Sequence, residues 1–347
     1  MRFAKHVAGL SVLVDLAVAY HTGHHYYYKG RWSQISSAIS TTSTTLAISE
    51  SPCESTSVPL STTVSFIPAS STAVPTASPT ASSLSIATAT YTTSSTATPT
   101  GSDSGIWRPS AGTTWQIVLS SSPKDTALNV QAYDIDLFDN TAATIKTFKD
   151  AGHKVICYFS AGTFEDWRED AESFQAADKG SAMEGWAGEW WLDTNSPNVR
   201  AIMAKRIDLA VTKGCDAIDP DNMDAYGNNG GGLNLQSADA INYINYLATI
   251  AHSKGLAIGL KNAGAIVSPS IVAAVDFAVN EQCAAYSECS TWQAFISANK
   301  PVFAIEYTTS TTDVTSASMN TACSTVNMAG FSTLLKNMIL DDWLIAC

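Results

Sequence analysis

Basic residues are scarce in this chain. Its 347 residues include 19 Lys and Arg against 31 Asp and Glu, a formal net charge of −12. A protein that binds nucleic acid or an anionic membrane through a basic face needs the opposite balance, so both classes are excluded. Histidine is scarcer still, six in all, and after residue 105 only His153 and His252 remain. Each comes just before an apolar run that reads as a strand, which suits a surface or hydrogen-bonded structural histidine. A Ser-His-Asp triad therefore lacks its base, and a histidine zinc site lacks its ligands. No Gly-x-Ser-x-Gly turn and no Cys-x-x-Cys pair occurs. The triplet Gly230-Gly231-Gly232 follows Asn228-Asn229 without the strand and helix context of a phosphate loop. No metal and no cofactor is expected.

The N-terminal region carries its own signals. A basic start, Met1 to His6, leads into a mostly apolar run from Val7 to Tyr20, too short to span a bilayer comfortably. Ala17-Val18-Ala19 fits a small-x-small cleavage site, so residues 1–19 read as a signal peptide. Asp15 within the run keeps a second reading open, a short membrane anchor. Either way the rest is exported, to the medium or to the cell surface. Residues 20–104 read as a disordered stalk. Of the 69 residues in 36–104, 37 are Ser or Thr, six are Pro and none is basic. Such a segment cannot bury enough apolar surface to offset its conformational entropy, and it fits an O-glycosylated, mucin-like stretch. The tract His21 to Tyr28 beside it reads as unstructured.

Residues 1–104 hold four basic and four acidic residues, which cancel. The whole −12 therefore belongs to residues 105–347. Two readings compete: a soluble acidic surface, or a field that concentrates a cationic ligand.

Residues 105–347 have the length of a single (β/α)₈ TIM barrel. Strand-like runs at 133–138, 154–159, 190–192, 217–219, 257–260, 277–280, 302–305 and 331–335 alternate with helix-like stretches at 142–150, 198–213, 237–254 and 291–298. That alternation predicts parallel strands with crossover helices, an α/β fold. A ninth run, 115–119, has no helix after it and is expected to be an accessory strand. Seven cysteines in an exported chain predict disulfides. Cys283 and Cys289 flank a short loop and form the best pair. Cys323–Cys347 would staple the C-terminus. Cys157 lies inside a strand and reads as a buried thiol. Cys53 falls in the stalk.

The predicted strands end in ionisable groups almost without exception. Charges are rarely buried unpaired, so this accumulation on one rim is poorly explained as packing. In a barrel that rim is where the active site lies. Paired carboxylates with aromatic faces nearby suit glycoside hydrolysis: one acid protonates the leaving oxygen, the other attacks or activates water. Alternation places Ala217, Asp219 and Asp221 on one face of the fourth strand, and Phe277, Val279 and Glu281 on one face of the sixth. One strand separates these two, so Asp221 and Glu281 form the expected catalytic pair. Asp219 sits lower and is expected to pair with Lys261 or to tune its neighbours. Asp136, Asp193, Asp219, Asp224, Lys261, Asn262, Glu306, Tyr307 and Trp190 are the expected substrate-binding residues.

Several strings, in order, resemble glycoside hydrolase family 114. They are Tyr133-Asp134-Ile135-Asp136-Leu137-Phe138-Asp139; Val155 to Gly162 with Glu165, Trp167, Arg168, Glu169 and Asp170; Gly185 to Asp193; Asp219-Pro220-Asp221-Asn222-Met223-Asp224; and Gly259-Leu260-Lys261-Asn262. The likeness runs through residues 107–347. It implies a (β/α)₈ barrel and an endo-α-1,4-polygalactosaminidase that cleaves galactosamine-rich polysaccharide such as deacetylated galactosaminogalactan. The family's essential Asp and Glu map to Asp221 and Glu281. Asp219 departs from the family's more frequent Glu. The expectation is a monomeric, extracellular hydrolase whose partner is a cationic polysaccharide. Two alternatives stay open: a glycosidase for another polymer, and a surface barrel that binds polysaccharide without cleaving it.

Overall fold

A computed structural model describes residues 105–347. The signal-peptide or anchor segment, the stalk and Cys53 lie outside the described residues. The domain is built on one large, strongly curled sheet of the TIM type. Its order is β1 (Trp115–Val118), β2 (Ala132–Asp136), β3 (Lys154–Ser160), β7 (Ala217–Asp221), β8 (Ala257–Lys261), β9 (Phe277–Glu281), β10 (Val302–Tyr307), β11 (Ser332–Lys336) and β12 (Ile345–Ala346). The first eight are parallel, and β12 runs antiparallel along β11. Side-chain and loop bonds tie β1 to the far end of the sheet. The Trp115 indole N–H donates to Ser332 O at 2.8 Å, and Leu119 N–H donates to Leu340 O at 2.9 Å.

Strand β4 (Thr163–Glu165), β5 (Lys179–Ala182) and β6 (Glu189–Leu192) form a separate antiparallel sheet in the excursion that follows β3. This corrects the expected strand assignment twice. The 190–192 run is no barrel strand, and the 115–119 run is a barrel strand. Both errors have one cause: no helix follows β1, so alternation passed over it and took the next apolar run instead. The two offset each other, so β7 and β9 remain the fourth and sixth barrel strands.

Helices α1 (Ala142–Asp150), α2 (Pro197–Lys213) and α3 (Ser237–Ser253) cover the outer face, followed by the shorter α4 (Pro269–Ala274), α5 (Gln293–Ser297) and α6 (Ser316–Ser324). Local chemistry sets their ends. The Ser196 hydroxyl accepts from Asn198 and Val199 N–H, Pro197 opens α2, and Gly214 closes it at φ +87°. Outward strand residues such as Tyr133, Ile135, Ile218, Ile258 and Leu260 join helix residues such as Ile202, Tyr243 and Leu247 in the main core.

The bore fills in two zones. Toward the strand N-termini it is apolar: Trp115, Ala132, Ile156, Ala217, Ala257, Phe277 and Phe303, with Trp115 stacked on Phe303 at 4.8 Å. Gly259 faces this zone, because a Cβ there would meet the Phe277 ring at 2.3 Å. Toward the strand C-termini the same alternation brings charged side chains inward: Asp134, Asp136, Asp219, Asp221, Lys261 and Glu281, all buried.

Three disulfides form: Cys157–Cys215, Cys283–Cys289 and Cys323–Cys347. The last two are the expected pairs. Cys157 is not a buried thiol. It points outward from β3 and meets Cys215, just beyond α2. Three disulfides fit an oxidising, extracellular setting.

Candidate active site

Asp221 ends β7 and Glu281 ends β9, and both point into the bore between β3, β8 and β10. Three donors converge on Asp221. Tyr158 OH reaches Oδ2 at 3.0 Å, Lys261 Nζ reaches Oδ2 at 3.3 Å, and Asn222 N–H reaches Oδ1 at 2.8 Å. Glu281 receives the Asn262 amide on Oε2 at 2.9 Å and the Tyr307 hydroxyl on Oε1. Lys261 Nζ lies 3.6 Å from Glu281 Oε2. One fully buried ammonium thus stands between the two carboxyls. The surrounding acids keep Lys261 protonated, because their attraction outweighs its burial. Burial and the neighbouring carboxylates push Tyr158 and Tyr307 well above the ordinary phenol range. Both therefore donate rather than accept at neutral pH.

The turn that carries Asp221 is set by close approach. Ala161 and Gly162 N–H both donate to Asp221 O, at 2.9 and 3.0 Å. A Cβ on Gly162 would stand 1.7 Å from Asn222 O, so only glycine fits. Asn222 and Asn262 take φ of +63° and +48°, a region that asparagine tolerates better than most residues. Each sits just past its strand and turns the chain out of the barrel.

A cleft of about 360 Å³ opens above the pair. Tyr158, Asp221, Asn222, Asp224, Asn262 and Glu281 line it, together with Glu184, Trp186, Glu189 and Trp191 from the β5–β6 hairpin. Glu189 is buried, and burial with the nearby Glu165 pushes its carboxyl up to about 8, although the Thr163 hydroxyl donates to it at 2.8 Å. Asp224 is raised to about 6 by burial and the Asp221 charge.

Six of the expected residues fall together here: Asp221, Glu281, Lys261, Asn262, Tyr307 and Asp224. Asp219 lies one layer below, its Oδ2 3.9 Å from Lys261 Nζ. Four fall elsewhere. Asp136 faces the bore, but both terminal nitrogens of Arg168 grip it at 3.0 and 2.8 Å, while Glu165 holds the rest of that guanidinium. Asp193 lies outside the cleft, ahead of α2, where it accepts Asn195 N–H at 3.0 Å. Glu306 projects from the opposite face of β10 to Tyr307 and accepts Ala284 N–H at 2.8 Å. Trp190 packs on Phe164 at 5.7 Å, and alternation hands the cleft to its neighbour Trp191. Tyr158 and Glu189 were not among the expected binding residues. Tyr158 shares the inward face of β3 with Ile156, and that parity was the available signal. His153 and His252 are structural, bonded to the Val130 and Thr126 carbonyls and to Asp276 respectively.

A curled parallel sheet with two carboxyls facing each other at the C-terminal rim, under an open cleft lined with tryptophan, defines a glycoside hydrolase of the TIM-barrel type. The family model of glycoside hydrolase family GH114 matches residues 96–347, and the chain belongs to that family. Among solved structures it is similar to Aspergillus fumigatus Ega3 in complex with galactosamine. The identity is 48%, the TM-score 0.67, and the match covers 70% of this chain and 97% of that one. It also resembles the glycoside hydrolase domain of PelA from Pseudomonas aeruginosa, at 14% identity and TM-score 0.52, covering 67% of this chain and 97% of that one. At that identity the second likeness speaks for the fold alone. No curated protein matches the chain.

Proposed function

We propose that this glycoside hydrolase cleaves an α-1,4-linked galactosamine polymer internally, as a secreted or cell-surface enzyme. The observation that carries the reading is the charge of the cleft. Glu184 and Asp224 line the cleft beside the Asp221–Glu281 pair, and a sugar bearing an ammonium on each ring supplies the matching charge. The co-crystallised galactosamine of the 48% identical Ega3 supports the same chemistry. Trp186 at the cleft wall offers a flat face for the rings, and the open cleft lets a chain pass through.

In this mechanism Asp221 is the nucleophile. Three donors hold it in one orientation, and Lys261 balances its charge. Glu281 protonates the leaving glycosidic oxygen and then takes the proton of the incoming water. Tyr307 and Asn262 fix the direction of the Glu281 carboxyl. Tyr158 orients Asp221 and releases it to bond the anomeric carbon.

The test is turnover of deacetylated galactosaminogalactan, with the products sized by mass. The chain should shorten the polymer to mid-length fragments, and neutral galactan and chitosan should be cut far more slowly. Glu281→Gln should abolish cleavage while leaving the fold intact. Full activity in Glu281→Gln, or saturable binding of polymer without new reducing ends, would overturn the reading.

A further inference from the structure

Beneath the catalytic pair the bore holds two more carboxyls that the reaction leaves unused. Asp134 on β2 and Asp219 on β7 lie on either side of β3 and point inward, both fully buried. In register, Asp134 stands between Ile117 and Ile156, and Asp219 beside Tyr158. Neither carboxyl accepts a hydrogen bond from any N–H or O–H donor among the described residues. They lie within hydrogen-bonding reach of each other. Two carboxylates can only accept, so this contact becomes a bond only when one of them holds a proton.

The charged groups facing this pair are few. Lys261 on β8 and Asp221 on β7 stand above it, Glu281 on β9 reaches it through Lys261, and Asp136 on β2 is taken up by Arg168. Fully ionised, Asp134, Asp219, Asp221 and Glu281 would set four negative charges around one fully buried ammonium. Such an excess is costly. The Lys261 distances show where the ammonium goes: 3.3 Å to Asp221, 3.6 Å to Glu281 and 3.9 Å to Asp219.

We propose that Asp134 and Asp219 share a single proton, and that Asp134 is thereby a positioning residue for hydrolysis. The shared proton ties Asp219 to Asp134 and leaves Lys261 to the two carboxyls above. Burial, with the charge of Asp219, raises Asp134 well above the carboxylate range, and burial raises Asp219 to about 7 despite Lys261. The inference rests on Asp221 and Glu281 being the reacting pair.

The conservative variant separates this role from a merely structural one. In Asp134→Asn the amide donates to an ionised Asp219, so the pair keeps one negative charge but no longer titrates. This variant should retain kcat within threefold near pH 6, and its alkaline limb should differ from the wild type's, keeping only the part set by the general acid Glu281. Asp134→Ala should lower kcat tenfold or more with KM nearly unchanged. Infrared difference spectra of the full chain, wild type minus Asp134→Asn near pH 6, should show the carbonyl band of a buried carboxylic acid. Glu281→Gln should keep that band whatever it does to turnover, so failure of the catalytic reading is told apart. Absence of the band, an unaltered pH profile in Asp134→Asn, or full kcat in Asp134→Ala would overturn the proposal.

Discussion

The ammonium of Lys261 bridges Asp221 and Glu281, 3.3 Å from Oδ2 of the first and 3.6 Å from Oε2 of the second. Those two oxygens are therefore at most about 6.9 Å apart, and reach that only if all three atoms are collinear. Retaining glycosidases space their carboxyls by about 5–5.5 Å and inverting ones by roughly 6.5–9.5 Å. The bound leaves almost none of the inverting range. Hydrolysis should proceed with retention, and proton NMR during the first minutes of cleavage should show the α-anomer of the new reducing end before mutarotation. First appearance of the β-anomer would refute the spacing argument.

Glu189 sets a pH dependence of stability. Its folded value of about 8 lies above the unfolded carboxyl near 4.5, chiefly through burial. Between these values the folded chain binds more protons than the unfolded one, so stability falls as pH rises. The contribution is complete below about pH 4.5 and lost as pH rises through about 8. Glu189→Gln keeps an acceptor for Thr163 but cannot ionise. Near pH 8.5 it should be more stable than the wild type by about a few kcal/mol, read by urea unfolding. The gap should close near pH 5.

Gly162→Ala tests the turn under Asp221. The new methyl would stand 1.7 Å from Asn222 O and 2.6 Å from its carbonyl carbon, both backbone atoms of the loop that carries Asp221. The expected outcome is a kcat lowered at least a hundredfold, with stability reduced by about 3 kcal/mol. Steady-state kinetics and urea unfolding read the two effects separately.

The disulfides rank by the loops they close. Cys157–Cys215 spans 58 residues, Cys323–Cys347 spans 24 and Cys283–Cys289 spans 6. Loop-closure entropy then predicts losses of about 4, 3 and 2 kcal/mol when each pair is replaced by alanines. Urea unfolding of the three double variants checks the order. A loss for the 157–215 pair smaller than for the 283–289 pair would contradict it.

Much of the site was legible before any coordinate. Asp221 and Glu281 followed from strand alternation, since a period of two lets a strand tip be assigned to the bore or the outside from residues four positions back. The same rule fails where a run's place in the fold is unknown. Trp190–Leu192 looks like a barrel strand because it is short and apolar, yet it pairs antiparallel with β4 and β5. Its parity therefore gives no information about the bore, and the sequence points to Trp190 where Trp191 lines the cleft. Glu306 and Tyr307 are neighbours on β10, so only one could face Glu281. Asp136 has the right parity and height, but nothing local shows that Arg168, 32 residues on, would take it.

By itself the sequence determined the layered α/β pattern, the acidic bias confined to residues 105–347, and the inward parity of the acids on β7 and β9. All three are set by periodicity and composition, which act over a few residues and survive any packing. The tertiary structure decided the partners. Lys261 sits between two carboxyls, Asp134 meets Asp219, and Arg168 takes Asp136, because curling the sheet brings strand ends together that lie far apart along the chain. A buried charge is tolerated only beside its partner, so that curling determines which acids face the cleft, which lie buried beneath it and which an arginine takes up.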